Sequence, residues 1–176
     1  MLKYLNYDIV FKEIPEETTL AINITNCPFK CDECHSPELQ EDIGKYLTTR
    51  KLRRLINSYK TDITCICFMG GDNNLDVLWK LAKFVRQNYD IKIAWYSGRQ
   101  CFPLIIPDWD GSNQFSYRKH KFPFDYIKYG RYEKEKGPIN QKTTNQRLYQ
   151  IRRVEKSKKL FDIVDITYKF WNENQN

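Results

Sequence analysis

Three cysteines stand close together in this chain. Cys27, Cys31 and Cys34 have the spacing Cys-x-x-x-Cys-x-x-Cys, in the stretch Asn26-Cys27-Pro28-Phe29-Lys30-Cys31-Asp32-Glu33-Cys34-His35. Thiolates this close converge on one centre when the loop curls, and Pro28 keeps the start of the loop from becoming a regular helix. A cubic 4Fe-4S cluster takes one ligand per iron, usually four cysteines. A three-cysteine loop would leave the fourth iron open to a small molecule, as a catalytic zinc keeps one position free of protein. The alternative is zinc held by Cys27, Cys31, Cys34 and His35, although adjacent Cys34 and His35 crowd a single tetrahedron. A further alternative, unrelated buried thiols, sits poorly with a loop full of charged neighbours. Cys65 and Cys67 lie two apart in an apolar run, so they share one face of a strand and read as small core residues. Cys101 has no partner in sequence and reads as packing.

These residues need elements to position them, and the coarse pattern alternates strands with helices. Thr18 to Ile24 is rich in β-branched and apolar residues and runs straight into the cysteines, which predicts a strand. Thr49 caps a predicted helix reaching about Tyr59, with Leu52, Leu55, Ile56 and Tyr59 at helical spacing. Ile63 to Met69 reads as a buried strand stopped by Gly70-Gly71. Asn73 or Asn74 caps the next helix, whose Leu75, Leu78, Ala82, Val85 and Tyr89 form one stripe. Ile91 to Tyr96 is a third strand ended by Ser97-Gly98, Tyr126 to Tyr129 a fourth ended by Gly130, and Leu160 to Phe170 adds a fifth. Residues 102–123 show no clean period and stay unassigned. Alternating units imply an α/β fold with a mostly parallel, curved sheet and helices outside it. The chain is short for a full eight-stranded barrel of ~250 residues, so a partial (β/α) barrel is expected. Parallel sheets place their chemistry beyond the carboxyl ends of the strands. The cysteines, Gly70-Gly71-Asp72, Ser97 and Lys128 all fall there. The bland readings are a strand-ending turn for the glycines, an ordinary Ser-Gly turn for Ser97 and a water-facing edge lysine for Lys128.

The whole-chain numbers fit one domain, 1–176, with a core over about 17–150 and a C-terminal extension over 151–176. A content of 41% hydrophobic and 15% aromatic residues suits a packed core and argues against disorder. No apolar run approaches the ~18 residues of a membrane span, and Met1 to Asp8 lacks a signal peptide's apolar core. A cytoplasmic chain is therefore expected, where clustered cysteines mean metal or redox chemistry rather than disulfides. The formal charge of +7 is uneven: residues 117–160 carry 14 basic and 4 acidic side chains. That stretch reads either as a solvated surface or as a patch for an anionic partner, and it holds no recognisable nucleic-acid motif.

The cysteine spacing after a first strand, followed by Gly70-Gly71-Asp72 after a second, resembles the radical S-adenosyl-L-methionine (SAM) superfamily. Cys34-His35-Ser36-Pro37-Glu38-Leu39, Tyr126-Ile127-Lys128-Tyr129-Gly130-Arg131-Tyr132, Gly137-Pro138-Ile139-Asn140 and Thr143-Thr144-Asn145-Gln146-Arg147 are similar to the small activating proteins of anaerobic ribonucleoside-triphosphate reductase. The resemblance covers about 17–150. It implies a barrel of radical SAM type and a 4Fe-4S cluster on Cys27, Cys31 and Cys34, with SAM on the open iron through its amino and carboxylate groups. The implied activity is reductive cleavage of SAM to a 5′-deoxyadenosyl radical, which takes a hydrogen from a glycine Cα on the reductase. It further implies that Gly70, Gly71 and Asp72 contact SAM, Asp72 accepting from the amino group. Ser97 would meet the carboxylate or ribose, and Lys128 would pair with a carboxylate. Glu33 stands where many members carry an aromatic residue near the adenine, and His35 is the candidate for that role. No side chain is expected to be catalytic, because cluster and SAM carry the chemistry. The implied partners are the catalytic subunit of the reductase and a low-potential electron donor of flavodoxin or ferredoxin type; neither membrane nor nucleic acid is expected. One alternative is activation of another glycyl-radical enzyme. From a different class, a zinc-stabilised nucleic-acid-binding module would use the basic third. The Gly137 to Arg147 loop has no metal-ligand or general-base pattern and reads as a surface or partner-contact segment.

Overall fold

The computed structural model describes residues 1–100, 122–153 and 161–171. Cys101, most of the unassigned 102–123 stretch and Leu160 lie outside the described residues. The strands are β1 (Lys3–Val10), β2 (Thr19–Ile24), β3 (Lys45–Tyr46), β4 (Cys65–Met69), β5 (Lys92–Tyr96), β6 (Tyr126–Tyr129), β7 (Arg147–Arg153) and β8 (Phe161–Asp165). Among the described residues they form one sheet in the order β3-β1-β2-β4-β5-β6-β7-β8.

The four central strands expected from apolar runs are present, and β2, β4, β5 and β6 pair in parallel. Everything outside them is antiparallel: β1 on β2, β3 on β1, β7 on β6 and β8 on β7. The expected mostly parallel sheet is thus corrected to a mixed one. Its extra strands carry weak local signals. β1 contains exposed Asn6, Tyr7 and Asp8 and has an irregular register between Tyr4 and Tyr7; β3 is two residues long; β7 opens on Arg147 and ends on Arg152 and Arg153. Pairing with a neighbour, rather than an apolar run of their own, makes them strands. β3 and β8 are opposite edges, so the sheet is open, and helices flank it in a layout consistent with a partial (β/α) barrel.

Helix α1 (Thr49–Tyr59) is capped by Thr48, one residue earlier than expected, whose Oγ1 accepts from the Lys51 N–H at 3.2 Å. Helix α2 (Leu75–Asn88) is capped by Asn74, whose Oδ1 accepts from the Val77 N–H at 3.2 Å. Leu52 and Ile56 from α1 and Leu78, Ala82 and Val85 from α2 join Ile22, Ile66, Phe68, Ile93 and Trp95 from the sheet in the main core. Neither helix is long and apolar enough to cross a membrane. The strand period of two sends alternate residues to the other face. There Cys65 and Cys67 are fully buried with Ala94, Tyr126, Leu148 and Ile14, and burial pushes both thiols up. They are core residues, as expected.

The β1–β2 connection tucks under this second face. Glu17 is buried there, accepting from Thr64 Oγ1 at 2.7 Å and from Tyr126 OH at 2.8 Å and pairing with Lys92. This knot ties β2, β4, β5 and β6 together at the end opposite the cysteines.

Candidate metal centre

The residues before the cysteines shape the loop. Asn26, Lys30 and Glu33 have φ values of 62°, 43° and 51°, so a left-handed residue immediately precedes each of Cys27, Cys31 and Cys34. Each such residue turns the chain back on itself, which curls a short segment without glycine. Backbone bonds from Asn26 N–H to Glu41 O (2.8 Å) and from Cys27 N–H to Leu39 O (3.0 Å) anchor the start of the loop. Its far side rests on the β6–β7 connection. The Arg131 guanidinium lies 5.5 Å from the Phe29 ring centroid, His35 meets Tyr132 edge-on at 4.7 Å, and Glu33 pairs with Lys134. Phe29 also seats on Gly98, where an added Cβ would collide with the ring.

Cys27, Cys31 and Cys34 line one cavity of about 330 Å³. The carboxyl ends of the parallel strands form its floor, so Gly70, Asp72, Ser97 and Lys128 line it too, and His35 stands at its wall. Gly71 does not. A Cβ there would come within 3.3 Å of Ile24 Cδ1 and Leu78 Cδ1, so the Cα hydrogen of this glycine faces the helix-side core. Gly71 is a glycine because its φ is +97°; Gly70, at +103°, is the one that borders the cavity.

Asp72 is buried, and burial raises its carboxyl pKa, while Ser97, the Gly98 N–H and Arg99 pull the other way. Ser97 Oγ donates to Asp72 Oδ1 at 2.7 Å, Arg99 Nε reaches the same oxygen at 3.2 Å, and the Gly98 N–H approaches Oδ2 at 3.3 Å. Ser97 Oγ thus orients Asp72 while Ser97 also lines the cavity. Lys128 sits on an interior strand, not an edge, and the water-facing reading fails. Burial lowers its ammonium to about 8, opposed by Cys31, Cys67, Asp72 and Cys34. Burial also pushes the Cys27 thiol up.

Sequence reasoning missed the third wall. Phe29, Arg131, Tyr132, Ile139 and Gln146 line the cavity, and Thr144 and Gln146 are buried. The Gly137 to Arg147 loop, expected as a surface or partner-contact segment, is exposed over Asn140 to Thr143 and also gives Pro138, Ile139 and Gln146 to the cavity lining. Gly130 marks the turn that brings it there, with φ +101° and its N–H on Arg99 O at 2.7 Å.

The donor set fits an iron–sulfur cluster. Three thiols of one curled loop border one cavity, and the remaining walls leave a side free of further sulfur ligands from the loop. Among the described residues, no three His, Cys, Asp or Glu side chains stand close enough to hold a single metal ion, so the four groups of the zinc alternative are not gathered at one point. A cubane distributes its thiolates over separate irons and makes no such demand. A family model described as a 4Fe-4S single cluster domain matches residues 17–152. No curated protein and no solved structure matches the chain. The matched segment spans well over half of the 176 residues and includes all three loop cysteines, and the chain belongs to the 4Fe-4S single cluster domain family.

Proposed function

We propose that this chain is a radical SAM activating enzyme, which cleaves S-adenosyl-L-methionine reductively and generates the glycyl radical on anaerobic ribonucleoside-triphosphate reductase. One observation carries the reading: a single cavity collects three thiols with Gly70, Asp72, Ser97 and Lys128 at the carboxyl ends of adjacent parallel strands. When bound, a 4Fe-4S cluster supplies one low-potential electron and an iron with a free coordination position. Cys27, Cys31 and Cys34 are the residues that would hold it. Gly70 lets a ligand approach the backbone closely. Among the described residues Asp72 Oδ2 carries only the 3.3 Å contact from Gly98, and it keeps acceptor capacity for an amino group. Phe29, Tyr132 and Ile139 exclude water around reactive species. Exposed Lys134, Lys136 and Lys142 extend the basic C-terminal third beside the cavity wall, a surface suited to the reductase or to an acidic electron donor.

Anaerobic reconstitution, iron and sulfide analysis, and an assay of reductive SAM cleavage test this reading. The wild-type chain is expected to take up about four irons and release 5′-deoxyadenosine, and Cys31→Ala to lose both properties. Full iron content and activity in Cys31→Ala would overturn the assignment. A glycyl radical seen by electron paramagnetic resonance on the reductase, and absent from other glycyl-radical enzymes, identifies the partner.

A further inference from the structure

Helix α1 carries its charge against its own dipole. Arg50, Lys51, Arg53 and Arg54 crowd its first half, and the helix has no acidic residue. A helix N-terminus favours anions, and Arg50 and Arg54 stand at i and i+4, where like charges repel. Among the described residues none of these cations joins an ion pair. Lys51 and Arg53 lie over the Tyr4 and Phe84 rings, at 6.0 and 5.3 Å from the centroids. Arg50, Arg53 and Arg54 are exposed. Beside the cavity wall, by contrast, Lys134 and Lys136 are already matched by Glu33 and Glu133. The fold gains nothing from the charge pattern of α1, which suits an anionic surface from outside the chain.

This helix starts at the cysteine end of the sheet. Tyr4 pairs with Ile24 on one side and with Lys45 on the other, and α1 begins shortly after Lys45. The segment before α1 anchors the loop: Ile43 O accepts from Thr25 Oγ1 at 2.7 Å, and Glu41 O and Leu39 O accept from the Asn26 and Cys27 N–H groups. The α1 side therefore abuts the loop at Cys27, whereas the β6–β7 wall meets it at Phe29, Glu33 and His35. The same segment exposes Ile43 and Tyr46, an apolar contact for a partner. Its acids are Glu38, Glu41 and Asp42, the last paired with Lys3 at 3.1 Å. Glu38 and Glu41 repel an acidic surface and so hold it to the α1 side.

We propose that the basic face of α1, centred on Arg50 and Arg54, docks the acidic protein that delivers the electron, and leaves the β6–β7 wall to the reductase. This rests on the reading of the chain as a reductively driven radical SAM enzyme. One electron leaves the donor's anionic flavin hydroquinone, which becomes the neutral semiquinone, and the oxidised 4Fe-4S cluster gains it. The test follows reduction of the anaerobically reconstituted protein by flavodoxin hydroquinone in stopped flow. Calorimetric titration with oxidised flavodoxin measures binding separately. Rate and affinity are both expected to fall with salt. Arg50→Glu/Arg54→Glu should slow the bimolecular step by ~10- to 100-fold at low salt, weaken binding and remove most of the salt dependence. Reduction by a small reductant, photoreduced deazaflavin, should keep its wild-type rate. The thermal midpoint should not fall, because acids suit that end of a helix. A wild-type flavodoxin rate in this variant would overturn the proposal, and so would equal slowing with deazaflavin. A greater loss from Lys134→Glu/Lys136→Glu would place the donor on the β6–β7 wall and overturn it too. A single-stranded oligonucleotide that binds more tightly than flavodoxin, and is lost with Arg50 and Arg54, would assign α1 to nucleic acid instead. A wild-type cluster that deazaflavin reduces but that releases no 5′-deoxyadenosine from SAM would overturn the SAM reading itself, a different result from any of these.

Discussion

A left-handed residue before each cysteine is a local cost, because that conformation is unfavourable for an L-residue by ~1–2 kcal/mol. Such strain persists where the surroundings over-determine it. Here the bonds to Leu39 O and Glu41 O and the contacts of Phe29 and His35 do so. Lys30 has an exposed side chain, so Lys30→Gly is expected to stabilise the iron-free chain by up to ~1 kcal/mol in urea unfolding, and Lys30→Val to destabilise it. At Gly71 the requirement is the conformation and the crowding by Ile24 and Leu78. Gly71→Ala should cost ~1–3 kcal/mol of stability while the folded fraction binds SAM with unchanged affinity. A selective loss of SAM affinity at full stability would show that Gly71 meets the proposed ligand through its backbone.

The elements meet the site at one end and are tied at the other. The knot of Glu17, Lys92, Tyr126 and Thr64 fixes the amino ends of the parallel strands, which sets where their carboxyl ends deliver Gly70, Ser97 and Lys128. The Tyr126 hydroxyl is pushed up to about 12, first by burial and then by its bond to Glu17. The folded chain therefore holds this proton more tightly than the unfolded chain, where tyrosine titrates near ~10. The stability it contributes is complete below pH ~10 and is lost as pH rises through the folded value. Lys92, raised chiefly by its bond to Glu17, shifts in the same direction. Tyr126→Phe should lose ~1 kcal/mol at pH ~8 and then decline less steeply than wild type between pH ~10 and ~12. Urea midpoints across that range measure this, and parallel declines would contradict it.

For the whole molecule, core and cofactor loop are separable. The main core runs through both helices and the outer face of the sheet, and none of its buried residues comes from the cysteine loop. The loop instead leans on the β6–β7 connection through Phe29–Arg131, His35–Tyr132 and Glu33–Lys134. The last of these is exposed at both ends and contributes little by itself. Removing iron by chelation should therefore raise amide exchange across 26–36 and 130–136 while protection in β4 and β5 stays high. Global loss of protection would show that the cluster supports the fold and not only the loop.

Some of this was legible from the chain alone, because it depends on near neighbours. Cysteine spacing, the apolar runs of β2, β4, β5 and β6, the stripe of α2, and the order in which strand ends deliver Gly70, Asp72, Ser97 and Lys128 are all local patterns. Other features belong to pairings between distant segments. β1, β3 and β7 are strands because neighbours supply their hydrogen bonds, and their own residues alternate too weakly to announce it. Gly70 and Gly71 are indistinguishable as letters, and only the positions of Ile24 and Leu78 send one to the cavity and the other to the core. Arg131, Tyr132 and Gln146 become cavity walls because β7 runs antiparallel to β6 and folds its connection across the strand ends. Spacing along a chain determines which groups can act together when the backbone curls locally. Which surfaces enclose them is a question of long-range contact, and only the folded sheet decides it.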